Sequence, residues 1–250
     1  MKAILIFLAS AACTVAHADV NFHVKEYLLN VAVEVHMTGQ IGARDDAELE
    51  SGLAAARQFA AARKKSIDGP HFVLSSVGGD VSAGAAIGRW ARSKQAHAVV
   101  EDECSSACVL ILAGAVDRRI RSGGKVGIHR VHFSGLNPAS SYGQVREKMA
   151  AADEFLLAYF REMDIPPTLL EEMKSIPPNR VRYLSSAELQ RYRLLGSDPV
   201  YQETSDLREA GRYGVSRQEY YRRKARADTV CRQGTVVELD CWEEVLRGKK

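Results

Sequence analysis

The segment Cys104-Ser105-Ser106-Ala107-Cys108 runs directly into the apolar residues 109–114, and this junction constrains the fold more than any other stretch. The apolar run predicts a buried helix that starts beside the two serines. A serine in the first turn of such a helix lies next to backbone N–H groups that have no partner within the helix. Those groups can stabilise an oxyanion, so Ser106 fits either a helix-capping residue or a nucleophile.

Residues 1–18 carry the pattern of a secretory signal peptide. Lys2 gives a positive start, residues 3–12 are apolar, and Ala16-His17-Ala18 is a cleavage site with small residues at both ends. We therefore predict a mature chain that begins at Asp19 and is periplasmic or secreted.

Four cysteines are left after residues 1–18 are removed: Cys104, Cys108, Cys231 and Cys241. Four cysteines allow three pairings, and an oxidising compartment favours disulfides. We predict the two local pairs, Cys104–Cys108 and Cys231–Cys241. A metal site is the alternative, and it is disfavoured because no histidine lies at ligand spacing beside either pair.

The composition argues against several classes of partner. The chain has 250 residues, of which 46% are hydrophobic and 26% charged, and its formal net charge is +3. This charge is too small to indicate nucleic-acid binding. After the signal peptide, no stretch approaches the roughly 18 apolar residues that a membrane span needs. We predict neither a cofactor nor a metal.

The C-terminal stretch differs in character from the rest. We predict a main domain over residues 19–200 and a basic appendage over residues 201–250, in which Cys231 and Cys241 close a hairpin. Basic side chains crowd one segment of the appendage: Arg217, Arg222, Arg223, Lys224 and Arg226. The cluster fits either contact with an anionic lipid or peptide, or a solvated helix face, which we favour.

Strand-like and helix-like segments alternate through the main domain. Strands are predicted at 22–27, 31–37, 71–75, 96–100, 118–121, 125–128 and 181–184. Helices are predicted at 45–65, 81–93, 106–115, 142–163, 168–174 and 186–192, with turns or breaks at 38–42, 68–70 and 77–80. This alternation predicts an α/β fold with a mostly parallel sheet. Ligands gather at the carboxyl ends of parallel strands, which here means near Gly78, Ser106 and His129.

Two further features at these strand ends suit acyl-transfer chemistry. Gly78-Gly79 lets a backbone N–H approach a reacting centre, although a plain strand-to-helix turn explains it equally well. His129 ends a strand and can act as a general base. His132 lies three residues later, and a purely structural role for one of the two histidines is the alternative.

Four segments in order resemble the Clp-type serine proteases. Residues 76–87 (SVGGDVSAGAAI) resemble the family's SPGGxVxAGxxI motif, and Ser106 falls where the family carries its nucleophile at a helix start. Residues 126–129 (VGIH) resemble the strand that ends in the catalytic histidine. Residues 182–189 (RYLSSAEL) resemble the RFLSAxEA stretch. The resemblance covers roughly residues 32–198 and implies a ClpP/crotonase-like spiral of β-β-α units.

The resemblance also implies roles for individual residues. Ser106 is the expected nucleophile, with Ser105 as its competitor, and His129 is the expected base. The N–H groups of Gly79 and Ala107 form the oxyanion hole, and Gly78 shapes its loop. The helix predicted at 142–163 stands where the family has its subunit-contact helix, so homo-oligomers are expected by analogy.

This sequence departs from the family at the third triad position. The aspartate that lies two residues before the aromatic residue of the Leu-Ser motif is Val181 here, and Asn179 is the nearest polar candidate. An amide can orient a histidine but cannot stabilise imidazolium as a carboxylate does.

Two functions therefore compete: an exported serine hydrolase, most simply a peptidase, and an inactive protein that binds peptides or a partner. A Ser–Lys pair using Lys125 is a minor option, and acyl-CoA chemistry is disfavoured after export.

Overall fold

A computed structural model of the chain describes residues 19–42, 45–133, 141–233 and 236–249. The predicted signal peptide, residues 1–18, lies outside these ranges and stays a prediction. Contacts divide the chain between Gly196 and Ser197 into two units, each of which is described by itself. No helix in the described ranges is long and apolar enough to cross a membrane.

The first unit alternates strands and helices along the chain. Its strands are β1 (Asp19–Glu26), β2 (Asn30–Ile41), β3 (Ser66–Gly79), β4 (His97–Ser105), β5 (Asp117–Ile120), β6 (Lys125–Ile128) and β7 (Arg182–Tyr183). Its helices are α1 (Asp45–Ala62), α2 (Val81–Ser93), α3 (Cys108–Gly114), α4 (Tyr142–Glu162), α5 (Thr168–Ser175) and α6 (Ser186–Arg191). A two-residue strand, β8 (Gly196–Ser197), lies where the chain passes into the second unit.

The strands of the first unit form a mixed sheet with a parallel centre. Its order is β1-β2-β3-β4-β5, and β6 pairs with β4 beyond the part of β4 that pairs with β5. The pairs β2–β3, β3–β4, β4–β5 and β4–β6 are parallel, whereas β1–β2 and β6–β7 are antiparallel. The predicted α/β fold with a mostly parallel sheet is confirmed. The finer prediction of a spiral of β-β-α units stays a prediction.

Three strands are longer than the sequence indicated. The predicted turn at 38–42 lies largely in β2, the breaks at 68–70 and 77–80 lie largely in β3, and β4 continues past residue 100 to Ser105. Gly39, Gly69 and Gly78 have positive φ angles, and the β2–β3 register shifts at two points, so bulges absorb the residues that normally interrupt a strand. Pairing between β2 and β3 outweighs the weak strand propensity of these residues.

Glycines let helix α2 approach helix α3 closely. A methyl group added to Gly84 would lie 2.6 Å from the carbonyl oxygen of Ala107. One added to Gly114 would lie 2.1 Å from the carbonyl oxygen of Gly88. The seven residues of α3 are all buried, so this helix is the centre of the core and fixes the end of β4 that precedes it.

The second unit consists of short helices and a small hairpin. Its elements are α7 (Pro199–Arg212), α8 (Arg217–Val230), β9 (Arg232–Gln233), β10 (Val236–Val237) and α9 (Leu239–Leu246). Strands β9 and β10 are antiparallel, and the disulfide Cys231–Cys241 closes the hairpin as predicted. A core of its own surrounds this disulfide and includes Ala227, Val245 and Trp242.

The basic cluster of the second unit lies on α8, and several of its charges are paired. Arg217 binds Glu203 at 2.6 Å, while Arg222 and Arg223 bind Glu219 at 3.0 and 2.9 Å. Arg223 also donates to the carbonyl oxygen of Leu246 at 2.8 Å. These contacts favour a solvated, ion-paired helix face over an unoccupied anion-binding surface.

Candidate active site

Ser106 occupies an unusual backbone conformation at the turn between β4 and α3. Its φ angle is +55°, in the left-handed region that non-glycine residues rarely adopt. The other described non-glycine residues with positive φ each lie just past the C-terminus of a helix, where this conformation is a common stop: Lys64, Gln95, Asp164 and Arg193. Ser106 instead precedes a helix. A strained serine on a sharp strand-to-helix turn is the arrangement that presents a nucleophile in α/β hydrolases.

Gly78 lies against the Ser106 turn. A methyl group added to Gly78 would lie 2.6 Å from Ser106 Cβ and 2.7 Å from the carbonyl oxygen of Ser105. The φ angles of Gly78 and Gly79 are +102° and +150°, which a side chain would strain. The fold therefore brings together the Gly-Gly motif and the serine that the sequence analysis singled out separately.

A disulfide spans the Ser106 turn. Cys104 at the end of β4 is bonded to Cys108, the first residue of α3, and both are fully buried. The predicted local pairing is thus present here as well as in the second unit. The bridge encloses Ser105, Ser106 and Ala107, so it restrains the residues on both sides of the strained serine.

The hydroxyl of Ser105 is already engaged. Ser105 is 1% exposed, and its Oγ donates to Glu103 Oε1 at 2.6 Å. The hydroxyl of Tyr183 donates to the same oxygen at 3.1 Å. Ser106, by contrast, is half-buried, and the described residues include no hydrogen-bond partner for its hydroxyl. Ser106 is therefore the more accessible of the two candidate nucleophiles.

His129 follows β6, the strand beside the Ser106 turn. The N–H of Ser106 donates to the carbonyl oxygen of Gly127 at 3.0 Å, and Ser105 is paired with Gly127 in the sheet. Ser106 follows the last residue of β4, and His129 follows the last residue of β6. Because β4 and β6 are parallel neighbours, and such strands lie about 4.8 Å apart, both residues lie at the same edge of the sheet. His129 is half-buried, and its Nδ1 lies 2.7 Å from the carbonyl oxygen of Arg130.

The third triad position is apolar, as the sequence indicated. Val181 is 43% exposed, and a methyl group added to Gly127 would lie 2.5 Å from Val181 Cγ1. Asn179 is exposed, in a turn where the N–H of Arg180 donates to the carbonyl oxygen of Pro177. In the described ranges, His129 makes no hydrogen bond with Asn179, so the role of Asn179 stays a prediction.

The N–H of Ala107 is available for an oxyanion. It makes no hydrogen bond to any residue of the described part of the chain. The N–H of Gly78, in contrast, donates to Ser76 Oγ at 3.1 Å, and Ser76 donates in turn to the carbonyl oxygen of Gly39 at 2.6 Å. The N–H of Gly78 is therefore already engaged, and the predicted role of Gly78 in shaping the loop stays a prediction.

An ion-paired cluster supports β7, the strand that pairs with β6 and carries Tyr183. Arg182 of β7 binds Glu172 and Glu188, each at 2.8 Å. The backbone N–H of Ser185, the Arg182 guanidinium and the Ser185 hydroxyl lower the pKa of Glu188 to about 2. Ser185 and Glu188 form a capping box, which anchors α6 beside β7.

Sequence reasoning missed three residues that support the site: Ser76, Glu103 and Arg130. The hydroxyl of Ser76 holds Gly78, Glu103 engages the competing serine, and the carbonyl oxygen of Arg130 contacts His129. Glu103 and Ser105 lie on the same face of β4, which a longer predicted strand would have indicated. The described residues include no group of three or more His, Cys, Asp or Glu that could hold a metal ion.

No protein-family model matches this chain, and no curated protein matches it. Among solved structures, a ClpP1 mutant from Listeria monocytogenes is similar at 17% sequence identity, with a TM-score of 0.47. The similarity covers 65% of this chain and 88% of that chain.

Proposed function

We propose that this protein is a serine hydrolase in which Ser106 is the nucleophile and His129 the general base. The observation that carries the proposal is the left-handed conformation of Ser106, held at a strand-to-helix turn against Gly78. Strain of this kind costs roughly 1–3 kcal/mol and persists where the surrounding structure maintains it, typically at functional sites. The disulfide across the turn and the closely packed glycines supply that support.

The chemistry follows from these positions. His129 accepts the proton of the Ser106 hydroxyl as Oγ attacks a carbonyl carbon, and the carbonyl oxygen becomes an oxyanion. The N–H groups of Ala107 and Gly79 stabilise that oxyanion. His129 then returns the proton to the leaving group, and water hydrolyses the resulting acyl-enzyme by the same route.

The substrate class and the compartment belong to the same proposal. The motif resemblance to Clp-type serine proteases supports a peptide or protein substrate. A signal-like segment at residues 1–18 and two disulfides support a periplasmic or secreted location. Assembly into a homo-oligomer is supported by analogy with the family's subunit-contact helix, here α4.

A second candidate is a peptide-binding protein that has lost catalysis. Val181 favours it, because the position at which the family carries its aspartate holds an apolar, partly exposed side chain. Removing the carboxylate from a Ser–His–Asp triad lowers the rate by about four orders of magnitude, although some catalysis persists.

Labelling with a fluorophosphonate probe tests the proposal. The oxidised wild-type chain is expected to form one covalent adduct, and Ser106→Ala and His129→Ala are expected to abolish it. Ser105→Ala should still be labelled, because Ser105 donates to Glu103 rather than attacking. Ser51→Ala, an exposed serine of α1, is the matched control and should be labelled like the wild type.

The same experiment separates the two candidates. A folded, oxidised wild type that is not labelled would overturn the hydrolase and favour the binding protein. If labelling survives in Ser106→Ala and disappears in Ser105→Ala, the nucleophile is Ser105 rather than Ser106.

A further inference from the structure

The ring of His129 is held in one orientation by its own neighbour along the chain. Its Nδ1 lies 2.7 Å from the carbonyl oxygen of Arg130. A carbonyl oxygen can only accept a hydrogen bond, so Nδ1 carries the proton. In the neutral ring, Nε2 is then left without a proton and can accept one from a hydroxyl.

Arg130 is itself fixed by a clamp to the end of α5. Its Nε donates to the carbonyl oxygen of Lys174 at 2.8 Å, and its Nη2 donates to the same oxygen. Its backbone N–H donates to the carbonyl oxygen of Ile176 at 3.1 Å. Both the side chain and the backbone of Arg130 are therefore tied to one segment, which determines where its carbonyl oxygen points.

We propose that Arg130 is the positioning residue of the site, and that its carbonyl oxygen replaces the missing carboxylate as the partner of His129 Nδ1. The inference rests on the proposed function, in which His129 is the base. When Nε2 takes the Ser106 proton, the ring becomes imidazolium and its Nδ1–H stays bonded to the Arg130 carbonyl. The proton leaves again from Nε2 to the leaving group, so Arg130 gains and loses nothing.

This arrangement supplies orientation without the charge that a carboxylate adds. A carbonyl fixes the tautomer of the ring, but its dipole stabilises the imidazolium less than a full negative charge does. The site is therefore expected to work as a slow Ser–His pair whose rate depends on the Arg130 clamp. Loosening the clamp should free the ring to adopt the other tautomer.

Nitrogen NMR of the full oxidised chain with ¹⁵N-labelled histidine tests the inference. The chemical shifts of Nδ1 and Nε2 distinguish the two neutral tautomers, and the His129→Gln spectrum identifies the His129 signals. At pH 8, wild-type His129 is expected in the Nδ1–H form. A wild-type ring protonated at Nε2 would overturn the inference, whether or not the protein reacts with fluorophosphonate.

Variants of Arg130 test whether the clamp is the cause. Arg130→Ala is expected to mix the two tautomers, to slow fluorophosphonate labelling at least tenfold and to change the pH dependence of the labelling rate. Arg130→Lys can still donate to Lys174 and should restore part of the rate, and it also serves if the alanine variant fails to fold. Arg161→Ala, an exposed arginine of α4, is the control.

The failures are distinguishable. If the wild type is not labelled but His129 is in the Nδ1–H form and the clamp variants disturb it, the positioning stands and the hydrolase proposal falls. If folded Arg130→Ala or Arg130→Lys keeps the wild-type tautomer, rate and pH profile, the positioning role falls and the hydrolase proposal stands.

Discussion

Gly78 and Ser106 lie so close that a methyl group on the glycine would be 2.6 Å from the Cβ of the serine. Carbon atoms that are not bonded prefer separations of about 3.5–4.0 Å, so the two turns meet only because residue 78 has no side chain. The Gly-Gly motif thus lies in direct contact with Ser106.

Gly78→Ala is therefore expected to displace the Ser106 turn. The added methyl group collides with Ser106, and the φ angle of +102° adds strain, so fluorophosphonate labelling should fall at least tenfold. Gly143→Ala in α4 is the matched control, because its methyl group would meet only Ser141 Oγ, at 3.8 Å. That variant should be labelled at the wild-type rate. Equal labelling of Gly78→Ala and wild type would contradict the close approach.

Removing the Cys104–Cys108 bridge should affect both stability and reactivity. In the chain-entropy account, closing so short a loop stabilises the fold by about 2 kcal/mol. The double variant Cys104→Ala, Cys108→Ala should unfold at a lower urea concentration, and its labelling should slow because the Ser106 turn loses its restraint.

The second disulfide provides the control for the first. Cys231→Ala with Cys241→Ala removes a bridge of ten-residue separation from the other unit and should cost about 3 kcal/mol of that unit's stability. Its labelling rate should match the wild type. If both double variants slow labelling equally, the effect is general and not a property of the Ser106 turn.

Tyr159→Phe should destabilise the core under α3. The Tyr159 hydroxyl donates to the carbonyl oxygen of Leu110 at 2.6 Å, and burial raises its pKa above the usual value. Losing this buried bond is expected to cost about 1–2 kcal/mol in the free energy of unfolding, measured with urea. Tyr142→Phe, which alters a side chain that is 85% exposed, should change it by no more than about 0.5 kcal/mol.

Glu188→Gln should remove a pH-dependent contribution to stability. The pKa of Glu188 is lowered from 4.5 to about 2 by the Ser185 N–H, Arg182 and the Ser185 hydroxyl. Folding therefore favours the ionised form of Glu188. The contribution of this carboxylate to the stability of the fold is complete above about pH 4.5 and is lost as the pH falls towards 2. The urea midpoints of wild type and variant should differ at pH 7 and converge towards pH 3.

The control for this prediction is Glu171→Gln. The Glu171 side chain is 71% exposed and its carboxylate lies 3.5 Å from Lys174 Nζ. At pH 7, Glu171→Gln should therefore change the urea midpoint less than Glu188→Gln does. If the urea midpoints of wild type and Glu188→Gln differ as much at pH 3 as at pH 7, the variant loses stability through packing rather than through charge.

Local patterns predicted the elements whose formation depends on nearby residues. Helix α2 runs from Val81 to Ser93 as expected, because Asp80 caps it and its apolar residues follow a helical period. Strand β6 spans Lys125–Ile128 as expected, and both disulfides join cysteines that are close in sequence. The long helix α4 differs from its predicted end by one residue.

Sequence patterns failed where tertiary pairing decides the structure. The strand predicted at 96–100 ends too early: β4 extends to Ser105, because β3 pairs with Cys104 on one side and β6 pairs with Cys104 and Ser105 on the other. The breaks predicted around Gly39 and Gly69 are bulges, because the neighbouring strands continue past them.

The sequence by itself determined which residues compete for the site: Ser105 or Ser106, the Gly-Gly motif, His129, and a third position without a carboxylate. Only the tertiary structure separates the two serines, because Glu103 takes the Ser105 hydroxyl and the β4–α3 turn strains Ser106. It also gives His129 a partner that no motif encodes. The Arg130 carbonyl belongs to the backbone, and its direction is set by contacts with Lys174 and Ile176, more than forty residues away in sequence.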